Sequence, residues 1–455
     1  MHICSVSKHT RIVNLSVVFV RLSSFSVNFS QSPLFGVWYN KSIQILGKYM
    51  ISRHFKDTFA ALQYPNYRLW FIGQLVSLVG TWMQSTAQGF LIFDITHSAA
   101  YLGYVSFAAG IPTWFLTLYG GLIADRISKR TLLIITQTSM MVLAAILAAL
   151  SFMQKVQAWQ IIVLAFLLGI ANSFDMPGRQ AFVAELVDRK HLTNAIALNA
   201  TMFNLGVVVG PAVAGLVYAW LGPAWCFTIN AISFLAVIFA LVSMKLGPIP
   251  INIRKSPILE IKEGLQAAFS TETMRLLFTS LAALGAFGFS LLVLTPAWSV
   301  DVLHGDVTTN GLLLSARGIG SLIGGLIIAT VGSRGFRGKI WSASTLFLPA
   351  AMVIFGLARW LPFSLITIAV MGLGLISVVN ITNGLIQDNI SDMLRGRVMS
   401  VYSLIFVGSQ TMGSLVIGEI ADRVNAPAAV YISAGVMALL AIYIYFFKPF
   451  MRKVA

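Results

Sequence analysis

Apolar runs of about 20 residues recur along this chain from Tyr67 to Phe447, and they constrain its fold more than any other feature. At 1.5 Å per residue, a helix of ~20 residues crosses a hydrocarbon core of about 30 Å. Twelve such runs are legible, among them a first at Tyr67–Phe93, a fourth at Gln160–Pro177, a seventh at Met274–Pro296 and an eighth at Asn310–Val331. Each is Leu, Ile, Val, Ala, Phe and Gly almost throughout, whereas a transmembrane barrel strand alternates polar and apolar at every second residue. With 57% hydrophobic residues over 455 positions and a mean hydropathy of +0.83, the chain has more apolar surface than a water-soluble globule can bury. The sequence therefore predicts an all-α membrane protein of twelve transmembrane helices.

A net charge of +16 would suggest nucleic acid in a soluble protein, but among membrane spans it first reports sidedness. With the N-terminus inside, the inner loops and tail hold Arg126, Lys129, Arg130, Arg179, Arg189, Lys190, Arg334, Arg337, Lys339, Arg395, Arg397, Lys448, Arg452 and Lys453, among others, while the outer loops hold Lys155, Arg359 and Arg423. That asymmetry places both termini in the cytoplasm, in a cytoplasmic (inner) membrane, and leaves no need for a nucleic-acid partner. The two cysteines, Cys4 and Cys226, are too few for a disulfide scaffold or a cysteine metal cluster. Cys226 reads as a small apolar packing residue. No metal and no cofactor are expected.

The first residues differ in character. No acid precedes Asp57, serine is frequent, and the apolar stretch around Val17–Val20 is interrupted by Arg11 and Arg21, which makes it too short for a signal or a span. Residues 1–56 read either as a targeting segment or, more simply, as an extension or misplaced start, with MISRHFKDTFAAL from Met50 a sensible beginning.

Half of the chain repeats the other half. GGLIADR at Gly120 returns as GGLIIAT at Gly324, an offset of 204; Asp188 and Arg189 return near Asp392, and Gly210 and Gly215 near Gly413 and Gly418. An even number of spans per repeat gives both halves one orientation, with a substrate path between two bundles. The expected organisation is a six-helix bundle over 57–244, a cytoplasmic linker over 245–273, a second six-helix bundle over 274–447 and a tail over 448–455. Pro248, Pro250 and Pro257 mark the linker, which leaves room for a short amphipathic helix near Ile258–Phe269.

The stretch GGLIADRISKR, Gly120–Arg130, places one acid and three bases directly after a long apolar run. A positive-inside loop explains the bases but not Asp125 or the glycine spacing. Its pattern, Gly121, Asp125, Arg126, Lys129 and Arg130, resembles the signature of the loop between spans two and three in the major facilitator superfamily, with Ser128 where that family often has glycine. The resemblance implies a gating latch in which the aspartate meets the start of span eleven, here near Val398, and a base meets acids at the end of span four. The acids available here are Asp175, Glu185 and Asp188.

Span five holds GVVVGPAVAGLV, in which Gly206, Gly210, Pro211 and Gly215 resemble the antiporter motif of the same superfamily, with Ala214 in place of one glycine. YPNYRLWFIGQLVSLVGTWMQSTAQ from Tyr64 and NSFDMPGRQAFVAELV from Asn172 are similar to the enterobactin-exporter-like, or transmembrane secretion effector, branch. That likeness covers Phe59 to Phe447 and implies export.

Ionisable residues inside a membrane are costly and mark function by default. Arg317, within span eight, attracts an anionic group of the substrate, counters a proton-carrying acid, or is a snorkelling or helix-pairing arginine. Asp175, near the inner end of span four, either carries a coupling proton or pairs with Lys129 or Arg130 in the latch, the simpler reading; Asp94 reads as interfacial. Because spans one, four, seven and ten line the cavity in the family, Gln84, Gln88, Asn380 and Asn383 join Arg317 as the expected substrate contacts. Gln74, Asn199, Asn204, Asn230 and Gln387 serve equally as helix-to-helix hydrogen bonders. Trp82, Met83, Phe287, Phe289 and Trp298 would furnish an apolar wall. Drug exporters of the superfamily often carry an arginine within span four, and IIVLAFLLGIANSF has none, so proton coupling follows from the family and not from a named residue.

The sequence has no P-loop, HExxH or GxSxG motif. These features together predict a non-enzymatic, monomeric secondary transporter in the lipid bilayer, exporting small hydrophobic or siderophore-like molecules with protons as coupling ion. The competing readings are an uptake symporter for a sugar or organic ion, and a non-transporting sensor on the same fold.

Overall fold

The computed structural model describes residues 59–245, 257–331 and 336–454; the side chains at 118–126, 257–261 and 331 fall outside that description. So do the expectations for residues 1–56. Twelve long helices follow in order: α1 (Pro65–Thr96), α2 (Ala99–Arg126), α3 (Lys129–Phe152), α4 (Ala158–Leu186), α5 (Leu192–Leu221), α6 (Pro223–Ser243), α7 (Glu272–Val302), α8 (Val307–Val331), α9 (Arg337–Gly356), α10 (Leu361–Asp388), α11 (Asp392–Arg423) and α12 (Ala426–Phe447). A short linker helix, Pro257–Ala268, precedes α7. Among the described residues there is no β-strand.

Local sequence explains where these helices begin. Thr271 accepts from the Met274 amide at 3.2 Å and Asn425 from the Ala428 amide at 2.8 Å, each satisfying a donor that the first turn would otherwise leave unpaired. Proline starts α1, α6 and α12, where its missing N–H costs no hydrogen bond. Gly222, at φ 88°, supplies the left-handed residue that turns α5 into α6.

Eleven of the helices are long and apolar enough to cross a membrane. α1, though 32 residues long, lies outside that set because its Gln, Ser and Thr positions lower its hydropathy. Large apolar side chains stand on the outer surface, with Phe239 72% and Leu439 70% exposed, as a lipid-facing surface requires. The fourth span is longer than its sequence suggests. Pro177 lies inside α4 and the helix continues to Leu186, since neighbouring helices in a membrane bundle compensate the backbone groups that proline frees.

α1 packs on α5 and α6, α2 on α4, and α3 on α4 and α6; α8 packs on α10, and α9 on α10 and α12. Two further pairings join early helices to late ones, α2 to α11 and α5 to α8. The backbone of α7 widens into π turns at Leu284–Phe289 and Trp298–Val302 and tightens into a 3-10 turn at Ser290–Leu294. Such departures recur at functional sites, and this one faces the cavity described next.

Candidate functional site

A cavity of about 420 Å³ lies among α1 to α8 and α11. Its polar lining includes Gln84, Gln88, Asn172, Asn230, Asn310 and Arg317, and its apolar lining includes Trp82, Phe234, Phe289 and Leu292. The lining residues lie at or beyond the midpoints of their helices, toward the end where α1 finishes at Thr96.

α1 supplies one wall. Gln84 Oε1 accepts from Asn230 Nδ2 at 2.6 Å, and the Ser233 hydroxyl donates to the Asn230 carbonyl at 2.7 Å. The approach depends on Gly80, whose Cβ would come within 2.6 Å of both Asn230 Oδ1 and Ser233 Oγ. α5 holds α1 and α8 together. Cβ atoms at Gly206 and Gly210 would meet Trp82 of α1, and one at Gly215 would meet Thr308 of α8 at 3.0 Å. The span-five motif is thus a packing hub with Pro211 lining the cavity between its two contacts.

Toward the Thr96 end, α2 packs closely on α11 and α8 on α5. A Cβ at Gly103 of α2 would lie 2.6 Å from the Ser414 carbonyl of α11, and Gly311 of α8 sits against the Pro211 carbonyl of α5. The Tyr104 hydroxyl donates to Glu419, and Asp422 Oδ1 accepts from the Ala100 amide in the first turn of α2 at 3.4 Å. Asp422 therefore satisfies an N-terminal donor and lies at the positive end of the α2 dipole. Both acids belong to GEIADR, Gly418–Arg423, which closes α11 with nearly the sequence GLIADR, Gly121–Arg126, that closes α2. That internal echo is visible in the sequence alone.

Near the opposite end, where α1 begins, one latch base meets one of the three acids expected for it and the other meets a backbone carbonyl. Lys129 Nζ pairs with Glu185 at 2.5 Å, and Arg130 Nη2 donates to the Val242 carbonyl at 2.7 Å. Asp175 is not their partner. It is fully buried and accepts from Thr136 Oγ1 at 2.8 Å and Gln137 Nε2 at 2.9 Å, with Arg179 Nε 2.6 Å from its other oxygen. Ten residues separate Asp175 from Glu185, roughly 15 Å along a helix, so Asp175 lies too deep to meet a loop base. The side chains of Asp125 and Arg126, like Gly121, fall outside the described residues, although the helix carries their backbone as its last turn.

The remaining ion pairs near that end stay local. Arg337 pairs with Asp388, Arg397 with Glu263 of the linker helix, and Lys448 with Glu272 at 2.5 Å. The hydrogen bond to Glu272 raises the Lys448 ammonium above its ordinary pKa.

Of the expected cavity residues, Gln84, Gln88 and Arg317 are on the lining, while Asn380 and Asn383 are not. α10 packs behind α8, which carries Asn380 to an exposed position and leaves Asn383 accepting from Gln387 Nε2 at 2.6 Å. Trp82 and Phe289 line the cavity, whereas Trp298 is buried in a stack on Phe355 with ring centroids 4.4 Å apart. Asn310 was missed. It lies two turns before Arg317 on the same face of α8, a spacing visible in NGLLLSAR.

Comparison with known proteins agrees with this architecture. A family profile described as "Transmembrane secretion effector" matches residues 56–453. The staphyloferrin A transporter of Staphylococcus aureus is 28% identical over 78% of this chain and 89% of its own length. The multidrug efflux pump Tap of Mycolicibacterium fortuitum is 26% identical over 83% of this chain and 94% of its own. Among solved structures, the nucleoside transporter NupG superposes with a TM-score of 0.70 at 15% identity, covering 84% of this chain and 99% of that one. With a cavity among its helices, glycine-packed helix contacts at one end and a family profile spanning nearly all of its described residues, the chain belongs to the transmembrane secretion effector family of the major facilitator superfamily.

Proposed function

We propose that the protein is a secondary active exporter that moves a small hydrophobic or siderophore-like molecule outward by alternating access. The observation that carries this reading is the cavity of about 420 Å³ with close α2–α11 and α5–α8 contacts toward the Thr96 end. The basic loop residues support an outer Thr96 end and cytoplasmic termini, and on that reading the described conformation is closed outward. The helices of 57–244 and 274–447 act as two halves that rock about the cavity, joined by the 245–273 linker. When the outer seal parts, Gly121, Asp125, Arg126, Lys129 and Arg130 latch the cytoplasmic end. Asp175 stiffens the α3–α4 pair that carries the latch bases. Relatives named as a staphyloferrin A transporter and a multidrug efflux pump support small-molecule cargo and outward direction. Protons are the proposed coupling ion and the monomer the proposed working unit.

The test is accumulation of fluorescent drugs and a catechol siderophore in cells expressing wild type or Asp125→Asn, with and without a protonophore. Export predicts lower accumulation with wild type, restored by the mutation or the protonophore. Higher accumulation with wild type would replace export by uptake.

A further inference from the structure

Arg317 and Asn310 share the cavity face of α8 and share an anomaly. Arg317 is 9% and Asn310 0% exposed, both line the cavity, and Arg317 Nε and both amide atoms of Asn310 have no hydrogen-bond partner. No Asp or Glu lines this cavity, which removes the reading in which Arg317 counters a proton-carrying acid at the site. An arginine does not shed its proton, and a buried charge is normally held by a counter-charge.

The arrangement is built rather than incidental. α8 is fixed to α5 along one face, where Gly311 meets the Pro211 carbonyl and Ser315 Oγ donates to the Val208 carbonyl at 2.7 Å. At ~100° per residue, that contact turns the adjacent face, with Asn310, Leu314 and Arg317, into the cavity. On α10, Gly372 leaves room for the Arg317 stem, against whose Cγ a Cβ there would lie at 3.1 Å. The charge therefore has space, a fixed direction and unused donors, with Trp82, Phe289 and Leu292 supplying an apolar wall of the same cavity.

We propose that the cargo site binds organic carboxylates: Arg317 takes the carboxylate through its guanidinium fork, Asn310 adds an amide hydrogen bond, and the aromatic wall takes the apolar body. The inference rests on the transport reading and names its substrate class. Arg317 binds substrate directly, so its removal weakens the charged member of a ligand pair and spares the neutral one.

The experiment uses the purified full chain in nanodiscs and follows tryptophan fluorescence. The probes are aromatic and aliphatic monocarboxylates, 2-naphthylacetate first, each paired with its neutral primary amide. Wild type is expected to prefer the carboxylate at least tenfold. Arg317→Gln should abolish that preference while leaving the amide within about twofold, Arg317→Lys should retain part of it, and Asn310→Leu should reduce it. Equal loss for acid and amide in Arg317→Gln, or no carboxylate preference in any pair with wild type, overturns the proposal. Binding reads charge preference whatever the direction of transport, and cellular accumulation reads direction whatever the charge, so failure of this inference and failure of the export reading are distinguishable.

Discussion

At the Thr96 end, α2 meets α11 and α5 meets α8 through glycine faces, backbone carbonyls and the Tyr104–Glu419 and Ala100–Asp422 hydrogen bonds. Near the other end, Lys129–Glu185, Arg337–Asp388 and Lys448–Glu272 each tie together helices of α1–α6 or of α7–α12, and among the described residues no ion pair joins the two groups. The difference separates interactions that set conformation from interactions that only hold a local pair of helices. A seal made of close backbone contact is all-or-none, because a packed interface does not deform gradually. Ion pairs confined to one group of helices persist in both conformations and so contribute little to such a balance.

The largest expected effect follows from filling the seal. Gly103→Leu places a side chain against the Ser414 carbonyl, which cannot move aside as a flexible side chain would; overpacking of this kind costs about 1–3 kcal/mol. Thermal unfolding in detergent should show the loss, and thiol labelling near Thr96 should increase. Next comes the Tyr104–Glu419 bond, only part-buried and worth about 0.5–1.5 kcal/mol. Tyr104→Phe and Glu419→Gln should each raise labelling near Thr96, and the double mutant should be no worse than the more severe single one. Asp422→Asn should act in the same direction by about 0.3–1 kcal/mol, the size of a helix-dipole interaction. At the opposite end, Arg337→Gln should change stability by about 0–1 kcal/mol and leave labelling near Thr96 unaltered. A large change in that labelling would break the distinction between the two ends.

Most of the fold was legible because a membrane helix needs a long apolar run that few other structures tolerate. α1 alone among the long helices falls short of the apolarity of a membrane span, and Gln84 and Gln88, which lower its hydropathy, line the cavity. The irregular backbone of α7 was only partly legible: Pro296 in LGAFGFSLLVLTPAWSV frees the Leu292 carbonyl, which takes the Thr295 hydroxyl instead, but nothing there announces the widening at Leu284–Phe289. Single polar residues in a span signalled an environment without specifying which wall they face. That ambiguity explains why Arg317 was placed and Asn380 was not, because the direction of α10 depends on its packing against α8 and α9. Asp175 shows the same limit in depth. Its type suggested a latch, whereas its distance from the helix end makes it a buried hub for Thr136, Gln137 and Arg179.

The most direct test of the central claim is a pair of spin-label distances in proteoliposomes, with Cys4 and Cys226 replaced by alanine. One pair, Ser98→Cys with Val424→Cys, reports the Thr96 end; the other, Ile127→Cys with Met393→Cys, reports the opposite end. Alternating access predicts that cargo and a proton gradient lengthen the first distance and shorten the second in the same population of molecules. If both distances lengthen together, or neither responds to any cargo, the two ends are not coupled and the account is wrong.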